Sequence, residues 1–254
     1  MPLSYARTLT GRTRTAGANR QLGYALAFVA GATNAGGFLA VRQYTSHMTG
    51  IVSAMADNLV LGEPGVALSG IGAVLSFLLG AATCAVLINH ARRQQMLSEY
   101  ALPLLLEAFL LLGFGLLGAR LSRIEGLFVP ATVMLLCFIM GLQNAVITKI
   151  SKAEIRTTHI TGIVTDLGIE LGKLVYWNAP TAPAQPAVRA DRGRLRVLSS
   201  LLVAFFVGGV AGAFGFKHLG YVSTVPLALV LVALAGVPAF DDLKNALLRR
   251  RLKR

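Results

Sequence analysis

The chain has 254 residues, of which 55% are hydrophobic and 14% charged, and it carries a formal net charge of +13. A soluble domain carries roughly 25% charged residues, and several apolar runs here reach the ~20 residues that a membrane-crossing helix requires. A soluble globular fold is therefore excluded in favour of an all-α membrane protein. The positive charge does not point to nucleic acid, because the Lys and Arg residues flank apolar runs instead of forming a binding face. Such flanks set topology and touch anionic lipid headgroups.

In chain order, residues 1–20 hold Arg7, Arg12, Arg14 and Arg20 and read as a disordered basic arm. The next run is too long for a signal-peptide core and lacks a small-residue cleavage site, so it stays as the first membrane helix. Crossings are expected at Leu22–Val41, Val66–Ile88, Leu102–Ala119, Leu127–Thr148, Leu198–Phe216 and Tyr221–Phe240. They group into a first membrane repeat over 21–120 and a second over 121–240. Two short segments, about 47–62 and 159–175, are left over. Each has about 16 residues, or ~24 Å as a helix, against a hydrocarbon core of ~30 Å. Residues 178–196 contain Pro180, Pro183 and Pro186 and read as a flexible cytoplasmic loop. Residues 241–254 form a basic cytoplasmic tail. Cys84 and Cys137 sit inside apolar runs as small buried hydrophobes, with no metal site implied.

Both leftovers open on the same pattern, "HMTGIVS" from His47 and "HITGIVT" from His159. The likeness is wider than the motif. "GATNAGG" at 31–37 parallels "GLQNAVI" at 141–147, pairing Gly31 with Gly141, Asn34 with Asn144 and Ala35 with Ala145. Phe77-x-x-Gly80 parallels Phe205-x-x-Gly208, His90 parallels His218, and Pro103 parallels Pro226. If the short segments dip in and return, each repeat crosses three times. The second half is then inverted relative to the first, giving a six-crossing bundle in which each half carries a broken or re-entrant H-x-T-G helix. That arrangement puts 20 of the 24 Lys and Arg inside and 4 outside, against 17 and 7 if both segments cross. The positive-inside rule favours six crossings with both termini cytoplasmic.

A half-helix in lipid must satisfy its first N–H groups. Thr45 or Ser46, and Thr157 or Thr158, are available as N-caps. Gly50 and Gly162 allow close approach of a helix or ligand, and the helix ends favour anions. His47, Thr49, Gly50, His159, Thr161 and Gly162 are thus predicted to line one central site, with Asn34 and Asn144 in support. The alternative is ordinary helix packing through hydrogen bonds and small residues. Asp57, Asp166, Glu170 and Glu107 outline an ionisable route; for Asp166 and Glu170 a place at the cytoplasmic water boundary is the competing reading. Two His alone do not make a zinc site.

"GATNAGGF", "HMTGIVSAMADNLVLG" and "HITGIVTDLGIELG" resemble the YoaK-like family of bacterial membrane proteins, a domain of unknown function, over residues ~20–240. The resemblance carries over to His47, Thr49, Gly50, Thr161, Gly162 and Asp166. Ile51 stands where the family pattern commonly has Asn. The resemblance implies a bacterial inner membrane and no established substrate. No nucleophile elbow, paired catalytic carboxylates, P-loop or dinucleotide fingerprint is visible, so neither an enzyme nor a cofactor is expected. A transporter or channel for a small solute or ion, with an anion well suited to the site, leads. A membrane assembly or regulatory partner comes second and an intramembrane enzyme third. The bilayer is the evident partner, and the sequence leaves a homo-oligomer open.

Overall fold

The apolar runs fold as helices joined by short turns. A computed structural model describes residues 15–121, 125–150, 160–177 and 187–252, and every regular element among them is helical. These are α1 Ala16–Val41, α2 Met48–Val60, α3 Pro64–Arg93, α4 Ala101–Leu121, α5 Glu125–Ile150, α6 Ile160–Val175, α7 Arg192–Leu219 and α8 Thr224–Leu252, with a 3₁₀ turn at Gly220–Ser223. His159, Thr157, Thr158 and residues 178–186 of the Pro-rich loop lie outside the described residues, and Arg192–Arg196, expected in that loop, belong to α7.

Local chemistry sets the ends. The Thr15 hydroxyl accepts the N–H of Ala18, so α1 starts at Ala16, within the stretch expected to be a disordered arm. Pro64 sits in the first turn of α3, where its missing N–H removes no helical bond. Gly220 ends α7 at φ +61°, a left-handed conformation that costs glycine little, and the turn delays α8 to Thr224. Ser223 packs back on Gly215, whereas eight residues of continuous helix would hold them ~12 Å apart. The chain therefore reverses here. At the far end α8 runs on to Leu252, so the expected tail is helical as far as that residue.

Five helical stretches are long and apolar enough to cross a membrane: Gly17–Val41, Pro64–Arg93, Ala101–Ala119, Pro130–Ile150 and Arg192–Asp242, the last holding both α7 and α8. The outer faces of α3 and α7 expose Leu68, Ile71, Leu75, Leu78 and Leu79, and Val203, Phe206, Val207, Val210 and Phe214. Apolar faces this continuous suit hydrocarbon rather than water. The protein is a multi-pass helical membrane protein.

Helix directions follow from who touches whom. Gly208, Gly212 and Phe216 of α7 meet Phe28, Ala32 and Gly36 of α1 in rising order, so these helices are parallel. Gly72 and Gly80 of α3 likewise meet Met134 and then Phe138 and Leu142 of α5. Helices α4 and α8 are antiparallel, with Leu97, just before α4, bonded to Asp242 at one end and Gly115 against Thr224 at the other. Helix α1 is antiparallel to α5, with Gln143 bonded to Leu26 and Leu136 beside Gly37. Helix α2 folds back on α3 as a hairpin, Met55 covering Gly70. The chain therefore ascends α1, falls back through residues 42–46, ascends again along α2 and descends α3. In the second half α6 is antiparallel to α7, since Asp166 meets Arg194 and Glu170 meets Asp191.

The two parallel crossings share their chemistry. A Cβ on Gly31 would overlap the carbonyl oxygen of Phe205, and one on Gly141 that of Phe77. A Cβ on Gly208 would overlap the carbonyl oxygen of Phe28, and one on Gly80 that of Phe138. Backbones approach this closely only over glycine. Three of these couples, Gly31 with Gly141, Phe77 with Phe205 and Gly80 with Gly208, correspond in sequence. The fourth, Phe28 with Phe138, has the same 110-residue separation as Gly31 and Gly141.

Candidate functional site at the start of helix α2

Arg42 caps α1 in the left-handed region, its N–H donating to the carbonyl of Phe38, and turns the chain back along the helix it has left. Four residues on, the Ser46 hydroxyl donates to Asn34 Oδ1 at 2.9 Å. Asn34 lies seven residues before Val41, so the chain has come back ~10 Å toward the middle of the bundle. Helix α2 starts there. Its N-cap is His47, with no side-chain capping bond, so neither Thr45 nor Ser46 serves as the expected cap. Ser46 is spent on Asn34, and Thr45 is fully buried beside Gly37, its hydroxyl unpartnered.

The H-x-T-G spacing has a local cause. His47 folds its ring over the first turn of α2, and a Cβ on Gly50 would stand 2.7 Å from Nδ1. The nearest atoms to a side chain at 50 would be those of the protein's own imidazole, itself exposed. Holding His47 here places a donor and acceptor beside the unsatisfied N–H groups of a helix N-terminus. His47 and Thr49 are exposed and Gly50 is half-buried; Ile51 is the residue of α2 that faces the core. In the second motif Thr161 and Gly162 are exposed and Ile163 is buried, which repeats the pattern. Helix α2 packs mainly on α3, and α6 on α7.

Behind the first motif is a polar row on α1 and α5. Thr33 and Gln143 are buried, each with an oxygen that no donor reaches, while the amide of Gln143 donates to the carbonyl of Leu26. Asn144 is buried and its amide donates to the carbonyl of Met140, one turn back on its own helix. So Asn34 supports the start of a short helix, whereas the described bond of Asn144 stays within α5. A cavity of about 270 Å³ lies beside α2, lined by Gln43, Ile51, Met55, Gly70, Pro130 and Met134 among others. It is largely apolar and touches the body of α2, not the His47 end.

The acids separate into three places. Asp57 is exposed near the end of α2. Glu107 is wholly buried inside α4 with both oxygens unpartnered. Asp166 and Glu170 share a face of α6 and tie it to α7: Asp166 accepts from Arg194 at 2.9 Å, and Glu170 accepts from Lys173 at 2.8 Å and from the N–H of Asp191 at 2.9 Å. The Lys173 ammonium, then the Asp191 N–H, hold the Glu170 carboxyl below its ordinary value. The carboxyl of Asp191, which caps α7, is lowered first by the N–H of Arg194. This cluster clamps helices together.

One contact between helix ends was not foreseen from the sequence. The Asp242 carboxylate, near the end of the α8 span, accepts the N–H groups of Leu97 (2.6 Å) and Ser98 (3.1 Å), and Ser98 in turn caps Ala101. The signal was available, since paired acids directly after an apolar span need donors, and a helix start within reach supplies them.

Among known proteins, the family model described as "Protein of unknown function (DUF1275)" matches residues 22–237. The match takes in most of the chain, and the chain belongs to that family. No curated protein and no solved structure matches it.

Proposed function

From membership of a family to which no activity is attached, we propose that this chain is a bacterial inner-membrane transporter or channel for a small solute or ion. It is built as six crossings in two inverted three-helix repeats with both termini cytoplasmic. The observation that carries the reading is the exchange of crossings: α1 on α7 corresponds to α5 on α3, through equivalent glycines and phenylalanines. The pairs that correspond to themselves, α1 with α5 and α4 with α8, are antiparallel. A two-fold relation with those properties has its axis across the helices, and in a bilayer that turns one half over. Inverted repeats with broken helices that start near the midplane are a transporter plan.

Helices α2 and α6 are the half-helices of this plan. Each runs in the direction of the span before it and so returns to the face that span reached. Tyr176 and Trp177, exposed just beyond α6, suit the membrane–water interface. Exposed His47 and Thr49 at mid-depth cost free energy against hydrocarbon, which favours a polar passage on this flank. An assembly protein would instead pack these residues tightly. The positive end of α2 and the His47 imidazole favour an anionic solute.

The test is uptake of labelled chloride, succinate and methylammonium by proteoliposomes, repeated with Gly50→Leu and Gly162→Leu. At least one tracer should move, and both folded variants should lose it; normal transport by both, or no movement of any tracer, sinks the reading. Thiol labelling of a Cys-free background should reach a cysteine at 63 only from outside and cysteines at 180–190 only from inside. The purified protein should not hydrolyse ATP.

A further inference from the structure

We propose that Glu107 is a proton-binding site, so that the solute movement proposed above is coupled to protons. Among the described residues it is the one acid within the interior of a candidate span. It is fully buried, and neither carboxylate oxygen has a hydrogen-bond partner. An ionised carboxylate there would have neither counterion nor donor, which a lipid-embedded helix does not tolerate. The neutral acid carries no charge, so its burial costs far less than that of the carboxylate.

The surroundings leave the proton as the ligand. From α3, Cys84 lies within electrostatic reach of Glu107 inside the bundle, and His90 is exposed near the helix end. From α5, Lys149 is exposed at the C-terminal turn. From α8, Asp242 is occupied by Leu97 and Ser98 at one end of α4, and from the 3₁₀ turn Tyr221 sits against Gly118 at the other. A hard cation needs several oxygens around it, and no group of potential metal ligands occurs among the described residues. A proton needs one. Glu107 is six residues into α4, ~9 Å from its start.

The inference rests on the transport reading, but its first test does not involve transport. Infrared spectra of the full chain in lipid at neutral pH should show a protonated-carboxyl carbonyl band that shifts in heavy water and is missing from Glu107→Gln. Carbon-13 labelling of glutamate in the wild type should shift the same band, which shows that it arises from a glutamate and not an aspartate, and Glu99→Gln should leave the band in place. No such band, or one unchanged by Glu107→Gln and by the labelling, overturns the proposal. In proteoliposomes an imposed pH gradient should accelerate whichever of the chloride, succinate and methylammonium tracers moves. Glu107→Gln should keep tracer exchange but lose the acceleration, and gradient-driven uptake that persists in the variant overturns the coupling. If no tracer moves with the wild type, the transport reading fails and the infrared result still decides proton binding.

Discussion

Replacing Gly80 by Ala inserts one methyl group where α3 crosses α5. The new Cβ overlaps the carbonyl oxygen of Phe138 and approaches the backbone nitrogen of Leu142 at 3.0 Å. Both obstacles are backbone, so no rotamer change relieves them; the helices must separate by about an ångström and give up contacts along the crossing. Overpacking of this kind costs typically 1–3 kcal/mol, and a backbone obstacle belongs at the upper end, about 3 kcal/mol. At roughly 2–4 °C per kcal/mol for a chain of this size, the melting midpoint should fall by ~6–12 °C. Gly113→Ala is the control, since its added Cβ meets nothing and a helical Ala gains up to ~1 kcal/mol over Gly. Thermal unfolding of both variants in one detergent, followed by loss of monodisperse protein, measures the difference. Gly31→Ala and Gly208→Ala act on a single crossing and should combine non-additively, whereas Gly31→Ala and Gly80→Ala sit on different crossings and should add. Equal midpoints for Gly80→Ala and Gly113→Ala would refute the close-packed crossing.

Other outcomes follow from individual contacts. Gly50→Ala should drive the His47 ring off the first turn of α2, read as a changed imidazole environment by NMR with little loss of stability, because the displaced group is an exposed side chain. Asp242→Ala leaves the N–H groups of Leu97 and Ser98 without their acceptor, at about 1–3 kcal/mol, and hydrogen exchange at both amides should rise while α2 is unaffected. The Glu170 and Asp191 carboxyls are both lowered in the folded chain. Their contribution to the α6–α7 clamp is therefore complete above the ordinary carboxylate values, about 4, and is lost as pH falls through the lower folded values. Proteolysis between α6 and α7 should accelerate only below about pH 4 in the wild type, and at neutral pH in Glu170→Gln.

Much of the architecture was legible because lipid leaves a chain few choices. A run of ~20 apolar residues without internal partners has to become a helix; five expected spans lie within α1, α3, α4, α5 and α7, and the sixth lies within α8 apart from its first three residues, which form the 3₁₀ turn. Their ends were less legible. Thr15 extends α1 backward and Gly220 delays α8, and both effects depend on single capping or turn residues that hydropathy does not weigh. The correspondence of Gly31 with Gly141 and of Gly80 with Gly208 could be read from spacing alone, but their task could not. Only the folded chain shows that each meets a phenylalanine carbonyl on another helix, because the partner lies some 60 to 180 residues away in sequence. The motif residues show the same division. The sequence marked His47 and Gly50 as belonging together, since glycine and histidine recur three apart in both halves. That the glycine lies against the imidazole, that Ser46 is spent on Asn34, and that Asp166 and Glu170 join α6 to α7 are matters of which atoms meet. Composition and periodicity record where a side chain prefers to be; tertiary packing alone settles which of the available partners it finds there.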